Sequence, residues 1–329
     1  DLLKNDYFFD ESYLSYKFSN NIISVGRISR WWSPSKKSSL ILSNSARPSY
    51  GFELKNYAPI KPKNYFLSFL GEVDYEFFLN RLEKNRTIPN TLLFGNRVSI
   101  KPMKNLNISL VRLAQFGGKG RSVDSSTIIN MLIGRDNYSR KNINEQPGNQ
   151  IAGIDFSYNP KINKNIRLYG QVVGEDEAGY LPSRTMSLLG ADFHSEFLKN
   201  PTTISVEYVD TFSGKENYSY NHRLYKDGLR HYKKPIGASI DADSKSSSLS
   251  IKTYFNKLIF DLTLQNINLN MNDSELNYWS NQSYRFNQAD FKISKMIKNY
   301  YVELVLVSRN KEIQDYKKND LIINLEYRF

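Results

Sequence analysis

The chain contains no cysteine, which excludes a disulfide scaffold, a thiolate metal site and a cysteine nucleophile. Histidine is scarce, with only His194, His222 and His231. A metal centre needs imidazoles grouped with carboxylates at ligand spacing, and these three are scattered, so no metal and no cofactor is expected. No segment approaches the ~18 consecutive apolar residues of a membrane-spanning helix. Apolar residues make up 40% of the 329, below the roughly 45–50% usual for soluble globular chains. Disorder is excluded all the same, because disordered chains are poor in aromatics and this one has 19 Phe, 23 Tyr and 3 Trp.

Catalytic patterns are equally sparse. Gly117-Gly118-Lys119-Gly120 lacks the spacing and strand-to-helix context of a phosphate loop. His194 and Ser195 are adjacent, hence on opposite faces of a strand, and cannot form a relay. Glu175, Asp176, Glu177 and Asp210 supply carboxylates, but a glycosidase pair must stand roughly 5–10 Å apart, and no pattern sets that distance. An enzyme is not expected. The chain begins at Asp1 without a charged-then-apolar leader. It reads as a processed or truncated product, so the missing leader says nothing of its location.

What the sequence does have is period two. Leu258, Phe260, Leu262 and Leu264 alternate with Ile259, Asp261, Thr263 and Gln265; Leu321, Ile323, Leu325, Tyr327 and Phe329 alternate with Ile322, Asn324, Glu326 and Arg328. Such segments are strands with one apolar and one polar face. They are predicted at 11–18, 22–30, 63–69, 73–82, 95–101, 107–116, 151–158, 166–173, 186–195, 202–209, 247–254, 258–268, 284–295, 300–309 and 320–329. The best helical candidate, Ser125 to Gly134, falls inside a loop.

The connections alternate between short (19–21, 70–72, 102–106, 159–165, 196–201, 255–257, 296–299) and long (31–62, 83–94, 117–150, 174–185, 210–246, 269–283, 310–319). A soluble sandwich has no reason to sort loops by length, whereas an outer-membrane barrel has short periplasmic turns and long extracellular loops. A strand of ~10 residues also suits a tilted membrane crossing, and closure satisfies every backbone amide in lipid. The expected fold is therefore all-β: a single transmembrane, antiparallel, up-and-down β-barrel domain in the cell outer membrane. Such barrels have an even number of strands and the predicted number is odd, so an N-terminal part is expected to be missing from about 16–18 strands.

Several motifs, in order, carry a family resemblance. They are SRWWSPSKKSSLILSNSARP (Ser29 to Pro48), GNRVSIKPMKNLNISLVRLAQFGGKGR (Gly95 to Arg121), LIGRDN (Leu132 to Asn137) and PGNQIAGIDF (Pro147 to Phe156). YGQVVGEDEAGYLPSR (Tyr169 to Arg184), EYVDT (Glu207 to Thr211), YNHRLYKDGLRHYKKPIG (Tyr220 to Gly237) and DADS (Asp241 to Ser244) follow. Together they resemble the capsule assembly protein Wzi family. The resemblance implies an outer-membrane barrel acting as a lectin that helps hold capsular polysaccharide at the surface. It also implies a periplasmic helical element and early strands upstream of this segment.

The residues supply material for binding. Net charge is +12, from 45 Lys+Arg against 33 Asp+Glu, which favours an anionic partner such as an acidic capsular or extracellular polysaccharide. Trp31 and Trp32 open the first long loop; one of two adjacent side chains must face away from lipid, where it can stack on a sugar. The alternative is an interfacial aromatic girdle. Arg47, Arg121, Arg135 and Arg184 fall in long loops, where planar guanidinium can grip a carboxylate. They could equally pair with local acids or contact lipopolysaccharide. Glu175, Asp176 and Asp210 join the candidate polysaccharide-binding site as acceptors for sugar hydroxyls, and Asp136 is included in it. Outer-membrane lipid and lipopolysaccharide are expected neighbours and the chain is expected to be a monomer. Nucleic acid is set aside, because the basic residues form no stripe. Rival functions are a porin or polysaccharide export channel, and a barrel-type hydrolase.

Overall fold

The two faces of the sheet are chemically opposite to those of a water-soluble protein. Antiparallel pairing aligns Phe193, Ile204, Ile251, Leu262, Phe291, Leu306 and Leu321 into one continuous row. These apolar side chains face outward; Leu306 is 44% exposed and Leu321 61%. Three residues along, Glu207, Ser248, Gln265, Gln288 and Arg309 align on the other face. That face is the covered one, with Glu207, Asp192, Ser250 and Thr263 all buried. Apolar outside and polar inside is the arrangement a strand needs when its outer face meets lipid.

The computed structural model describes residues 9–121, 123–125, 128–129, 148–178, 181–214, 219–314 and 316–327. Its strands are β1 (Tyr13–Phe18), β2 (Asn21–Arg27), β3 (Tyr50–Asn56), β4 (Glu72–Arg81), β5 (Leu92–Met103) and β6 (Leu106–Phe116). Then come β7 (Gly148–Tyr158), β8 (Ile166–Ala178), β9 (Leu181–Phe197), β10 (Asn200–Asp210) and a short hairpin of β11 (Arg230–His231) and β12 (Lys234–Pro235). The last are β13 (Lys245–Phe255), β14 (Leu258–Leu269), β15 (Tyr284–Ile297), β16 (Tyr300–Arg309) and β17 (Asn319–Tyr327). Apart from the β11–β12 hairpin they form one 15-stranded sheet in chain order, the up-and-down arrangement expected of an outer-membrane barrel.

The tight turns fall at one end. At Asn256–Lys257 and Leu198–Lys199 both residues have positive φ (49° and 63°, 50° and 62°), the twist a two-residue hairpin requires. The opposite end carries the connections 28–49, 82–91 and 211–244.

Three expectations need correction. Residues 63–69 are not a strand: Tyr65–Leu70 is a 3₁₀ helix, because the Asn64 side chain accepts from Phe66 N and caps it. A strand, β3, instead lies within the expected loop 31–62, pairing Phe52 with Val25 and Leu79. Residues 174–185 are not a long loop, since β8 runs to Ala178 and β9 starts at Leu181. Backbone pairing alone extends those strands where no apolar face marks them. At 125–134, residues 125, 128 and 129 are helical, and Ile128 N donates to Asp124 O; the remainder lies outside the described residues. The terminal Phe329 lies there too.

By packing, the chain divides into two compact units: Asp1–Phe156, Gln171–Thr185 and Tyr220–Ser239 form the first, and Ser157–Gly170, Met186–Ser219 and Ile240–Phe329 the second.

Candidate functional site

In the first unit, loops fold back over the covered face of the sheet and make a core of their own. Trp32, Leu40, Ile41, Tyr220, Tyr225 and Leu229, all from loops, are among the most deeply buried side chains. Loop 28–49 is seated by charge. Arg30 Nε lies 3.0 Å from both Glu53 Oε1 on β3 and Glu76 Oε1 on β4, with its guanidinium over the Phe78 ring. Trp32 Nε1 donates to Glu76 Oε2 (2.9 Å), and its ring packs 5.3 Å from that of Phe78. Gln171 on β8 then clamps the loop twice, accepting from Leu40 N (2.7 Å) and donating to Trp32 O (2.8 Å).

Segment 220–239 is knitted to this loop. Tyr220 Oη donates to Leu40 O (2.6 Å), Ser43 N donates to Ile236 O (2.8 Å), and Ser43 Oγ donates to Gly237 O (2.5 Å). Gly228 adopts φ 64°, and a Cβ there would stand 2.1 Å from Tyr220 O, so only glycine closes this turn. A third loop, 82–91, joins through buried ions. Arg86 donates to Arg230 O and Gly228 O (3.1 Å each), and the imidazole of His231 donates through Nδ1 to Glu83 Oε2 (2.5 Å). Burial pushes the Glu83 carboxyl up, but the His231 hydrogen bond and the Arg86 charge prevail and hold it below the ordinary 4.5. A fourth segment, 117–121, is tied in by Lys119 N donating to Pro89 O and by Tyr225 Oη donating to Gly117 O. Burial raises the Tyr225 phenol above its usual value, with Arg121 acting against it.

The result is a layer of loops whose backbone polar groups bond one another and buried side chains. Its exposed side chains include Lys36, Lys84, Lys119, Arg223, Lys226, Lys233 and Lys234, while Asp227 accepts from Thr87 N (2.8 Å). These cations were not singled out from the sequence, because a lysine in a loop reads as a solvated charge until folding puts several loops in one layer.

The candidate residues fare unequally. Trp32 is 1% exposed and cannot offer its face to a sugar, a correction that follows from its bond to Glu76. Trp31 is half-buried, its indole N–H bonded to Ser35 O (2.7 Å). Arg47 is paired with Asp10 (2.7 Å). Arg121 lies over the Tyr225 ring at 5.5 Å. Arg184 is half-buried with φ 56°. Asp210, in the second unit, is occupied by Lys245 (2.9 Å), Tyr208 Oη (3.0 Å) and Phe212 N (2.9 Å). Arg135 and Asp136 lie outside the described residues, as do the side chains of Glu175 and Asp176. Of the candidates, Trp31, Trp32, Arg47, Arg121 and Arg184 share the first unit.

The second unit has its own loop core, built on Thr211. Thr211 Oγ1 bonds Asp241 O and Ser244 O, Asn277 Nδ2 donates to Ala242 O, and Asn270 Nδ2 bridges Ser274 O and Ser280 O. Among the described residues no group of three His, Asp or Glu could hold a metal ion.

The sequence profile of the capsule assembly protein Wzi family matches residues 3–307. A Klebsiella pneumoniae protein known only as a 55.8 kDa product of the cps region is 33% identical over 202 residues, 61% of this chain. The match spans only 40% of that relative's length. The solved structure of Wzi from Escherichia coli is described as a carbohydrate-binding β-barrel of the outer membrane involved in group 1 capsule assembly. It superposes with a TM-score of 0.86 at 25% identity, covering 97% of this chain and 70% of that one. OprD of Pseudomonas aeruginosa, at 10% identity and a TM-score of 0.54 over 96% of this chain and 76% of that one, shares the fold alone. The chain belongs to the capsule assembly protein Wzi family and is an outer-membrane β-barrel protein.

Proposed function

We propose that this protein binds an acidic capsular or extracellular polysaccharide and helps hold it at the cell surface, without catalysing a reaction. The long connections are extracellular in this reading, and the strands form a single barrel domain in lipid and lipopolysaccharide. The observation that carries it is the cationic layer. Lys36, Lys84, Lys119, Arg223, Lys226, Lys233 and Lys234 are exposed on loops that are hydrogen-bonded together. A polyanion engages several such charges at once, and summed weak contacts exceed any single one. A layer bonded together in this way loses little conformational entropy on binding. Trp31, half-buried where Trp32 is fully buried, is the aromatic left to stack on a sugar, and Arg121 supplies a planar donor.

Replacing Lys84, Lys119, Lys226 and Lys233 together by Ser tests the reading, because none of these side chains supports a loop. Cells carrying the variant should release polymer into the medium while total polymer is maintained, and the purified variant should bind acidic polysaccharide weakly. Unchanged partition and unchanged binding would overturn it. Planar-bilayer conductance addresses the channel alternative: a layer of packed loops should give no open-channel current.

A further inference from the structure

The exposed face of the second unit changes chemistry in steps toward the long-loop end. The uniformly apolar row Ile251, Leu262, Phe291, Leu306 is followed by Leu249, Leu264, Ala289 and Ser308. Next comes Ser247, Asn266 and Asn287, joined by Asn310, which donates from its N–H to Asn287 O (3.1 Å). Beyond it lie Lys245, Asn268 and Arg285. The small side chains Ser247, Ala289 and Ser308 leave an open groove of about 710 Å³ between the larger ones. Its lining takes in both of these middle rows and only the one opposite-facing row between them, Ser248, Gln265, Gln288 and Arg309. The groove therefore opens on the outer face, not the covered one.

We propose that this groove is a site for a phosphorylated glycolipid of the outer leaflet. Each part of such a lipid finds its match at the right level. Leu249 and Leu264, 40% and 46% exposed, form a floor for acyl chains. Asn266 Nδ2 donates to Asn287 Oδ1 (2.7 Å), and Asn310 Oδ1 accepts from Asn287 N (3.0 Å). That leaves the Asn287 and Asn310 amide N–H groups as donors and Asn266 Oδ1 as an acceptor for sugar hydroxyls and amides. Arg285 stands one row further from the apolar band and is exposed. Lys245, in the same row, is already held by Asp210 at 2.9 Å. Arg285 is thus the cation left for a phosphate, which its planar fork can grip with two hydrogen bonds. A simple annular phospholipid would need the apolar floor and a cation but would leave the amide ladder unused. The inference rests on the membrane-facing sheet and is independent of polysaccharide binding by the loops.

The probe is a hexa-acylated glucosamine disaccharide carrying two phosphates, titrated onto the detergent-purified protein and counted by native mass spectrometry. Wild type should retain one molecule in preference to phosphatidylglycerol, which offers charge without sugar. Arg285→Ala with Asn287→Ala should weaken retention at least tenfold, roughly the loss of one charge-assisted hydrogen bond. Ala289→Trp, which fills the groove, should abolish it. Folding of each variant is read from heat-modifiable gel mobility, and Asn310→Leu replaces the double variant if that one fails to fold. Equal retention by folded variants, or equal affinity for phosphatidylglycerol, would overturn the assignment.

Discussion

His231 Nδ1 stands 2.5 Å from Glu83 Oε2 with both side chains 4% exposed, joining two loops 148 residues apart in sequence. Arg86, 3.5 Å from the same carboxylate oxygen, completes a buried cluster that holds loop 82–91 to segment 220–239.

Because Glu83 titrates below its ordinary value in the folded protein, its ionised form favours the closed loops. That contribution is fully present above the unfolded value, about 4.5, and disappears as pH falls through the lower folded value. Protection against amide hydrogen exchange over residues 225–236, taken relative to the intrinsic rate at each pH, should therefore be high at neutral pH and fall below pH 4.5. Glu83→Ala should give the low protection at pH 7, since removing one partner of a buried pair costs about 3–5 kcal/mol. Protection in that variant equal to wild type would contradict the role.

Gln171 is a second fastening. Gln171→Leu leaves Leu40 N buried without its acceptor, at about 1–3 kcal/mol, while Trp32 O keeps the Ser39 Oγ donor (3.0 Å). Loop 28–49 should exchange faster while heat-modifiable mobility of the barrel is retained, because strand pairing is untouched. Loss of the folded band would mean that the clamp supports the sheet as well.

The two adjacent tryptophans should separate cleanly. Trp32→Ala removes a fully buried indole, a loss of about 3–5 kcal/mol, and should loosen the loop layer and weaken polysaccharide binding as a consequence. Trp31→Ala, which removes one bond to Ser35 O within the loop, should weaken binding with a much smaller rise in loop exchange. Identical exchange profiles for the two variants would refute the division.

A cationic layer predicts a steep dependence on salt. Exposed charges are screened over ~10 Å at 0.1 M ionic strength, so affinity for an acidic polysaccharide should fall progressively between 50 mM and 500 mM salt. The Lys84, Lys119, Lys226 and Lys233 quadruple variant should show a shallower slope. A neutral polysaccharide should show almost none.

Strands were legible wherever one face meets lipid. The expected 258–268 is Leu258–Leu269, and the expected 284–295 is Tyr284–Ile297, because an apolar residue at every second position is what a membrane crossing demands. Reading by hydrophobicity failed where that demand lapses. Strand Tyr50–Asn56 carries Glu53 and Lys55 on the face that packs around Arg30, so its signal was only three outward residues, Tyr50, Phe52 and Leu54. Asn64-Tyr65-Phe66-Leu67 reads as apolar strand, but its side chains are exposed and Asn64 caps a 3₁₀ helix.

By itself, the sequence determined the architecture. Alternation at period two is a local property, and lipid imposes it on each strand separately; the sorting of loops by length holds less strictly, since the connection 57–71 lies at the tight-turn end and β9 starts three residues after β8 ends. The recognition layer was decided by tertiary structure alone. Trp31 and Trp32 are indistinguishable until Glu76, 44 residues away, takes the indole of Trp32. Lys84 and Lys226 share a surface because Arg86 bonds the carbonyls of Gly228 and Arg230, Glu83 bonds His231 and Thr87 N bonds Asp227. Hydrogen bonds and buried ion pairs between distant loops leave no periodic trace, since each partner is specified by where the chain brings it and not by its neighbours in sequence.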